Sequence, residues 1–126
     1  MLKNKEEYYE FIDLFANKID INTENIQVTK RHNFYVLKGY MIVTNKKDSS
    51  TITIDVTNPI GETEDLSTNE KLIDFCRLVI AHNCLSTVYG TDDMNTMCKV
   101  FGDSGKKIYL NTRKIHDFII EAMKEY

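Results

Sequence analysis

The sequence predicts an α+β domain. It is expected to hold a three- or four-stranded antiparallel meander packed with about four helices, in the order α-β-β-β-α-α-(β)-α. Three observations carry this. Residues 25–57 read as three strands in succession, and the segments on either side read as amphipathic helices. Grouping the strands in the middle, rather than alternating them with helices, argues against a doubly wound parallel sheet.

The first helix is expected over Asn4–Lys18. Asn4 and Glu7 make a start resembling a capping box, and Tyr8, Phe11, Ile12 and Phe15 fall on one face at helical spacing. Ile19–Glu24 reads as a short connection. The first strand, Ile26–Arg31, turns through His32-Asn33, where asparagine tolerates positive φ. The second, Phe34–Thr44, places Phe34, Val36, Tyr40 and Ile42 on one side and Tyr35, Leu37, Met41 and Val43 on the other. Both sides are apolar, so it is expected at the centre of the sheet. With four helices at hand, both faces are expected to be covered and Phe34 and Tyr40 to lie in the core. Gly39 signals a bulge or a close approach by another element. Asn45–Ser50 has the length and polarity of a hairpin loop. Thr51–Thr57 then alternates strictly, Ile52, Ile54 and Val56 against Thr51, Thr53, Asp55 and Thr57.

Asn58–Leu66 reads as a loop containing Pro59, Gly61 and the carboxylates Glu62, Glu64 and Asp65. Ser67–Asn83 is the clearest helix. Ser67 and Glu70 form a capping box, Leu72, Phe75, Cys76, Val79 and Ile80 the apolar stripe, and Asn83 a left-handed stop. Cys84–Tyr89 reads as a loop or an edge strand. Thr91 caps a further helix bearing Met94, Met97, Cys98 and Phe101, which Gly102 ends. Lys106–Leu110 is the candidate fourth strand, and Thr112–Glu125 the last helix, burying Ile115, Phe118, Ile119 and Ala122.

At 126 residues the chain is expected to be one domain with its own core. A net charge of −3 gives no general attraction to nucleic acid. No apolar run approaches membrane-spanning length, and the N-terminus lacks the apolar centre of a signal peptide, so no membrane association is expected. Three cysteines without an export signal point to reduced thiols and a cytoplasmic location.

The candidate sites are few. Cys76, His82, Cys84 and Cys98 are residues of zinc-ligating type. Their spacing is poor, and Cys76 and Cys98 fall on apolar stripes where cysteine behaves as a small hydrophobe. His82 is expected at a helix C-terminus. Gly102-Asp-Ser-Gly-Lys-Lys107 lacks both the glycine spacing and the Ser or Thr of a phosphate-binding loop, and reads as a polar turn. Asp55 with Glu62, Glu64 and Asp65 has the chemistry to hold Mg²⁺, but no strand-borne lysine pattern accompanies them. None of His32, His82 and His116 is paired with a nucleophile in the sequence. No metal and no cofactor is therefore expected.

What remains is a non-enzymatic protein-interaction module. Small size, acidic balance and heavy use of Lys, Asn and Ile suit an accessory or inhibitor protein of a phage or mobile element, acting on a nucleic-acid-handling or defence protein of its host. Glu62, Glu64 and Asp65 are the expected partner-binding residues, through charge-assisted contacts to Lys or Arg. One alternative is single-stranded nucleic-acid binding on the sheet by Phe34, Lys38 and Tyr40, with Lys30 and Arg31 at the rim. Another is a metal-dependent enzyme at the acidic loop. A homodimer is a further expectation if one sheet face is left uncovered.

Overall fold

The computed structural model describes residues 5–32, 34–59, 65–88 and 103–124. Helix α1 (Lys5–Phe15) runs through a short 3₁₀ turn (Ala16–Lys18) into β1 (Ile19–Asn22). Then follow β2 (Ile26–Lys30), β3 (Tyr35–Asn45), β4 (Thr51–Asp55), the two-residue β5 (Asn58–Pro59), α2 (Asn69–Val88) and α3 (Asp103–Met123). The architecture is α+β, as expected, with one layer of helices on one antiparallel sheet.

Every strand pairs with β3, and all pairings are antiparallel. One edge of β3 carries β1 along Ile42–Asn45 and β2 along Tyr35–Gly39. The other carries β4 along Tyr40–Thr44 and β5 along Val36–Leu37. The sheet is therefore three strands wide, with each outer strand interrupted at its middle.

The two interruptions differ. Asp55 lies opposite Tyr40 and Asn58 opposite Leu37, so β4 and β5 keep a single register. Asn22 lies opposite Ile42 and Ile26 opposite Gly39, which sets three residues against two. That is a bulge, and it sits where the glycine marks it. The Asn25 carbonyl accepts the Tyr40 N–H (3.2 Å) and presses on Gly39, whose φ is +120°. A Cβ on Gly39 would lie 1.9 Å from that oxygen.

Turn chemistry closes the hairpins. The Arg31 N–H donates to the Phe34 carbonyl (2.7 Å), spanning the expected His32-Asn33 turn, of which Asn33 lies outside the described residues. Between β3 and β4, Ser49 takes φ of 64° and the Asn45 N–H donates to the Ser50 carbonyl (2.8 Å). The Asn45 side chain is buried and accepts the Lys47 N–H (2.9 Å). Lys47 then donates from Nζ to the carbonyls of Glu121 (2.8 Å) and Lys124 (2.9 Å). A cation is thus placed on the carbonyl end of α3, where orphan acceptors and the helix dipole favour it.

The core lies between the helices and one face of the sheet. Ile12 and Phe15 of α1, Leu72, Cys76, Ile80 and Cys84 of α2, and Ile115, Ile119 and Ala122 of α3 pack with Leu37, Met41, Val43 and Ile54. Phe15, Leu37, Met41, Ile80 and Ile119 are fully buried, each contributing about 1.5–3 kcal/mol in removal from water. The stripes expected on α1, α2 and the last helix are the ones that face this core.

Several expectations are corrected. Ile19–Asn22 is a strand, not a connection: four residues are too few to show a period, and pairing with the free half of β3 decides it. Residues 84–88 continue α2, and Asn83, expected as a stop, sits inside the helix with its Nδ2 donating to the Val79 carbonyl (2.8 Å). The cap of α2 is Thr68 rather than Ser67, its Oγ1 accepting the Lys71 N–H (3.2 Å). Lys106–Leu110, expected as a strand, and Asp103–Lys107, expected as a turn, both belong to α3, which packs along α2. The helix expected after Thr91, and Gly102 with it, lies outside the described residues.

Replacing Gly39 with alanine is expected to destabilise the fold by about 3 kcal/mol or more, since positive φ and a backbone clash act together. The urea midpoint measures it; a midpoint within error of the wild type would remove the close approach from the account.

Candidate functional site

Directly paired residues of an antiparallel sheet share a face, so the register assigns each side chain. The core face carries Ile19, Ile21, Val28, Leu37, Met41, Val43, Ile52 and Ile54. The opposite face carries Val36, Lys38, Tyr40, Ile42 and Thr44 on β3. Thr29 and Gln27 flank these residues from β2, Asp20 and Asn22 from β1, and Thr51, Thr53 and Asp55 from β4.

No described helix covers that second face. Tyr40 is 39 % exposed and Phe34, just before β3, is 38 % exposed, while Val36 and Ile42 are half-buried and Lys38 is exposed. The expectation that Phe34 and Tyr40 lie in the core is therefore overturned, and among the described residues the helices cover one face only. The physical reason lies in the neighbours of β3. On this side the outer strands present threonine, asparagine, glutamine and aspartate, so too little apolar area exists to hold a second helical layer. Part of the signal was present in the strict Thr/Ile alternation of Thr51–Thr57, which marks a wet face for that one outer strand.

The surface is mixed in chemistry. An apolar and aromatic line, Val36, Tyr40 and Ile42, runs along the centre with threonines beside it. Its charges are Lys38, Asp55 directly opposite Tyr40, and Asp20. The Asp55 carboxylate accepts the Thr57 N–H (2.7 Å), and the Thr57 hydroxyl accepts the Gly39 N–H (2.7 Å), so this end of β4 is held rigidly against β3. Lys30 and Arg31 are exposed at the β2–β3 hairpin end.

The acidic loop is described only at its end. Glu62 and Glu64 lie outside the described residues. Asp65 is engaged within the chain, with one carboxylate oxygen paired to Lys71 Nζ and the other accepting the Ser67 N–H (2.9 Å). Lys71 first, and Ser67 second, hold its carboxyl well below the usual carboxylate range. Asp65 thus serves the entry to α2.

The zinc-type residues are not brought together. Cys76 and Cys84 are fully buried in the core, and burial pushes each thiol up to about 12. His82 is exposed, well inside α2 rather than at its end, and its Nδ1 lies 3.0 Å from the Tyr8 hydroxyl. That contact ties α1 to α2, and burial followed by Glu7 raises the Tyr8 phenol. Cys98 lies outside the described residues. Among the described residues no three His, Cys, Asp or Glu side chains converge as metal ligands. His116 contacts Asp117 at 3.1 Å.

A groove follows β1 against the first turns of α2, with cavities of about 220 and 420 Å³ that share Asp20, Ile21 and Ile73. Its polar groups are partnered: Asp20 with Lys46 (3.7 Å), Arg77 with Asp74 (2.9 Å), and the Thr23 hydroxyl donating to Asn69 Oδ1 (3.0 Å). No described helix is long and apolar enough to cross a membrane. Comparison with family models, with curated proteins and with solved structures finds no match.

Two measurements check this assignment. In native protein at pH 8, Cys76 and Cys84 are expected to resist a disulfide thiol reagent and to react only on unfolding; immediate modification of both would contradict their burial. Asp65 has a folded pKa below its unfolded value, so its contribution is present above about pH 4 and is lost as pH falls through the depressed folded value. Asp65→Asn is expected to flatten the acid limb of the stability–pH curve below about pH 4, and a limb identical to wild type would show the pair to be inconsequential.

Proposed function

We propose that this protein is a non-enzymatic interaction module that docks another protein chain on the uncovered face of its sheet. The observation that carries the reading is the exposure of Tyr40 in line with Val36 and Ile42, on a face no described helix covers, with Phe34 exposed just before the strand. Aromatic residues within a polar rim are the usual composition of a docking surface, and a sheet held by pairing on both edges of β3 is a rigid platform.

The charges of the face favour protein over nucleic acid. A single-strand binder needs a cationic groove that follows phosphates. Here Lys38 lies near Asp55, Asp20 is paired with Lys46 at the far end of the face, and the cations Lys30 and Arg31 are gathered at the other end. The nucleic-acid alternative keeps Tyr40, Phe34 and Lys38 as its stacking and phosphate contacts. The accessory or inhibitor role in a phage or mobile element rests on size, acidic balance and composition alone. Contact through Glu62, Glu64 and Asp65 rests on sequence, and the internal pairing of Asp65 weighs against that residue.

The test is capture by the tagged full chain from lysate of its native host, with nuclease, beside a Tyr40→Ala/Ile42→Thr variant. A stoichiometric polypeptide that survives nuclease and is lost with the variant is the expected result. Capture untouched by the variant but lost on charge reversal of Glu62 and Glu64 would move the contact to the loop. Recovery of nuclease-sensitive material alone would establish the nucleic-acid reading instead.

A further inference from the structure

Resting on the open face as a docking surface, we propose that its occupant is a second copy of this chain. The two copies pack face to face about a two-fold axis that lies in the interface, perpendicular to β3, and passes midway between Lys38 and Tyr40. The argument is the self-complementarity of the face under that operation.

Reversing β3 about this point sets each residue on the open face against a different one. Lys38 falls on Tyr40 of the second copy, with that copy's Asp55 beside it, since Asp55 is the direct partner of Tyr40 in the register. The ammonium then meets an aromatic face and a carboxylate together, and the contact occurs twice by symmetry. Val36 falls on Ile42, apolar on apolar. Thr29, beside Val36, falls on Asn22, beside Ile42, hydroxyl on amide. The competing two-fold axis, parallel to β3, stacks Lys38 on Lys38 and is disfavoured by like charge.

Size is adequate. The 11 residues of β3 extend about 37 Å, and three strands span about 14 Å, a flat footprint of about 500 Å² per copy before side-chain corrugation. Stable specific interfaces begin at about 600 Å² per partner, so the face lies near the lower bound and a weak, concentration-dependent dimer is the form expected. Sheets packed face to face cross at about −30°, so the central Lys38–Tyr40 contacts stay aligned while the ends splay apart. That geometry leaves Phe34 and the Lys30–Arg31 end at the rim.

Sedimentation equilibrium on the purified full chain tests the proposal, with melting curves confirming that each variant folds. Wild type is expected to show a concentration-dependent monomer–dimer equilibrium. Lys38→Asp or Asp55→Lys alone puts like charges together and is expected to weaken dimerisation about tenfold or more, while the Lys38→Asp/Asp55→Lys exchange restores most of it. Tyr40→Ala, which leaves the charges in place, is expected to weaken it as well. A wild-type chain that stays monomeric at every concentration overturns the inference, as does a charge exchange no better than its singles. If the chain is monomeric yet lysate capture still depends on Tyr40 and Ile42, only the identity of the occupant fails. If capture is also indifferent to those residues, the docking face fails with it.

Discussion

The structure depends on one close contact, the Asn25 carbonyl against the bare Cα of Gly39. Every strand hydrogen-bonds to β3, and midway along β3 both outer strands change over, β1 to β2 on one edge and β4 to β5 on the other. On the first edge an extra residue must be accommodated without losing the ladder. A left-handed φ at Gly39 turns the backbone so that Asn25 can reach the Tyr40 N–H while Val56 and Thr57 take up the Gly39 carbonyl and N–H from the other side. Any side chain at this position would occupy the space of the Asn25 oxygen. One glycine thereby lets a single long strand organise four shorter ones.

From that constraint the two faces acquire different fates. The bulge lies between β1 and β2, and each keeps its isoleucines and valine on the helical side despite the register shift. Ile19, Ile21 and Val28 join Leu37, Met41 and Val43 under α1, α2 and α3. The other face is left with the aromatic line of β3 between polar strands. It is too polar to hold a helical layer, yet it carries the exposed Tyr40 ring between Val36 and Ile42. Its charges are mixed, Lys38 near Asp55 and Asp20 paired with Lys46.

The groups with recognisable chemistry are mostly occupied in holding the fold. Cys76 and Cys84 fill the core as small hydrophobes. Asp65 and Thr68 order the entry to α2, Lys47 closes the end of α3, and Tyr8 with His82 links α1 to α2. Within the described residues these interactions are local and pairwise, and none assembles the nucleophile, base and orienting group that covalent catalysis requires.

The sequence by itself determined the α+β class, the central place of Tyr35–Asn45, the hairpin at Asn45–Ser50, the special role of Gly39 and the buried stripes of three helices. These are properties of period and local φ, legible because each is repeated within a few residues. Tertiary structure alone decided three matters. Ile19–Asn22 became a strand because β3 had an unfilled edge, and residues 106–110 became helix in a segment that packs along α2. No described helix covers the face bearing Tyr40, because the polarity of one face of a sheet is a sum over three strands. A reading of β3 alone sees only its own alternation, whereas pairing brings Thr51, Thr53, Asp55, Gln27 and Thr29 beside it and tips that face toward water.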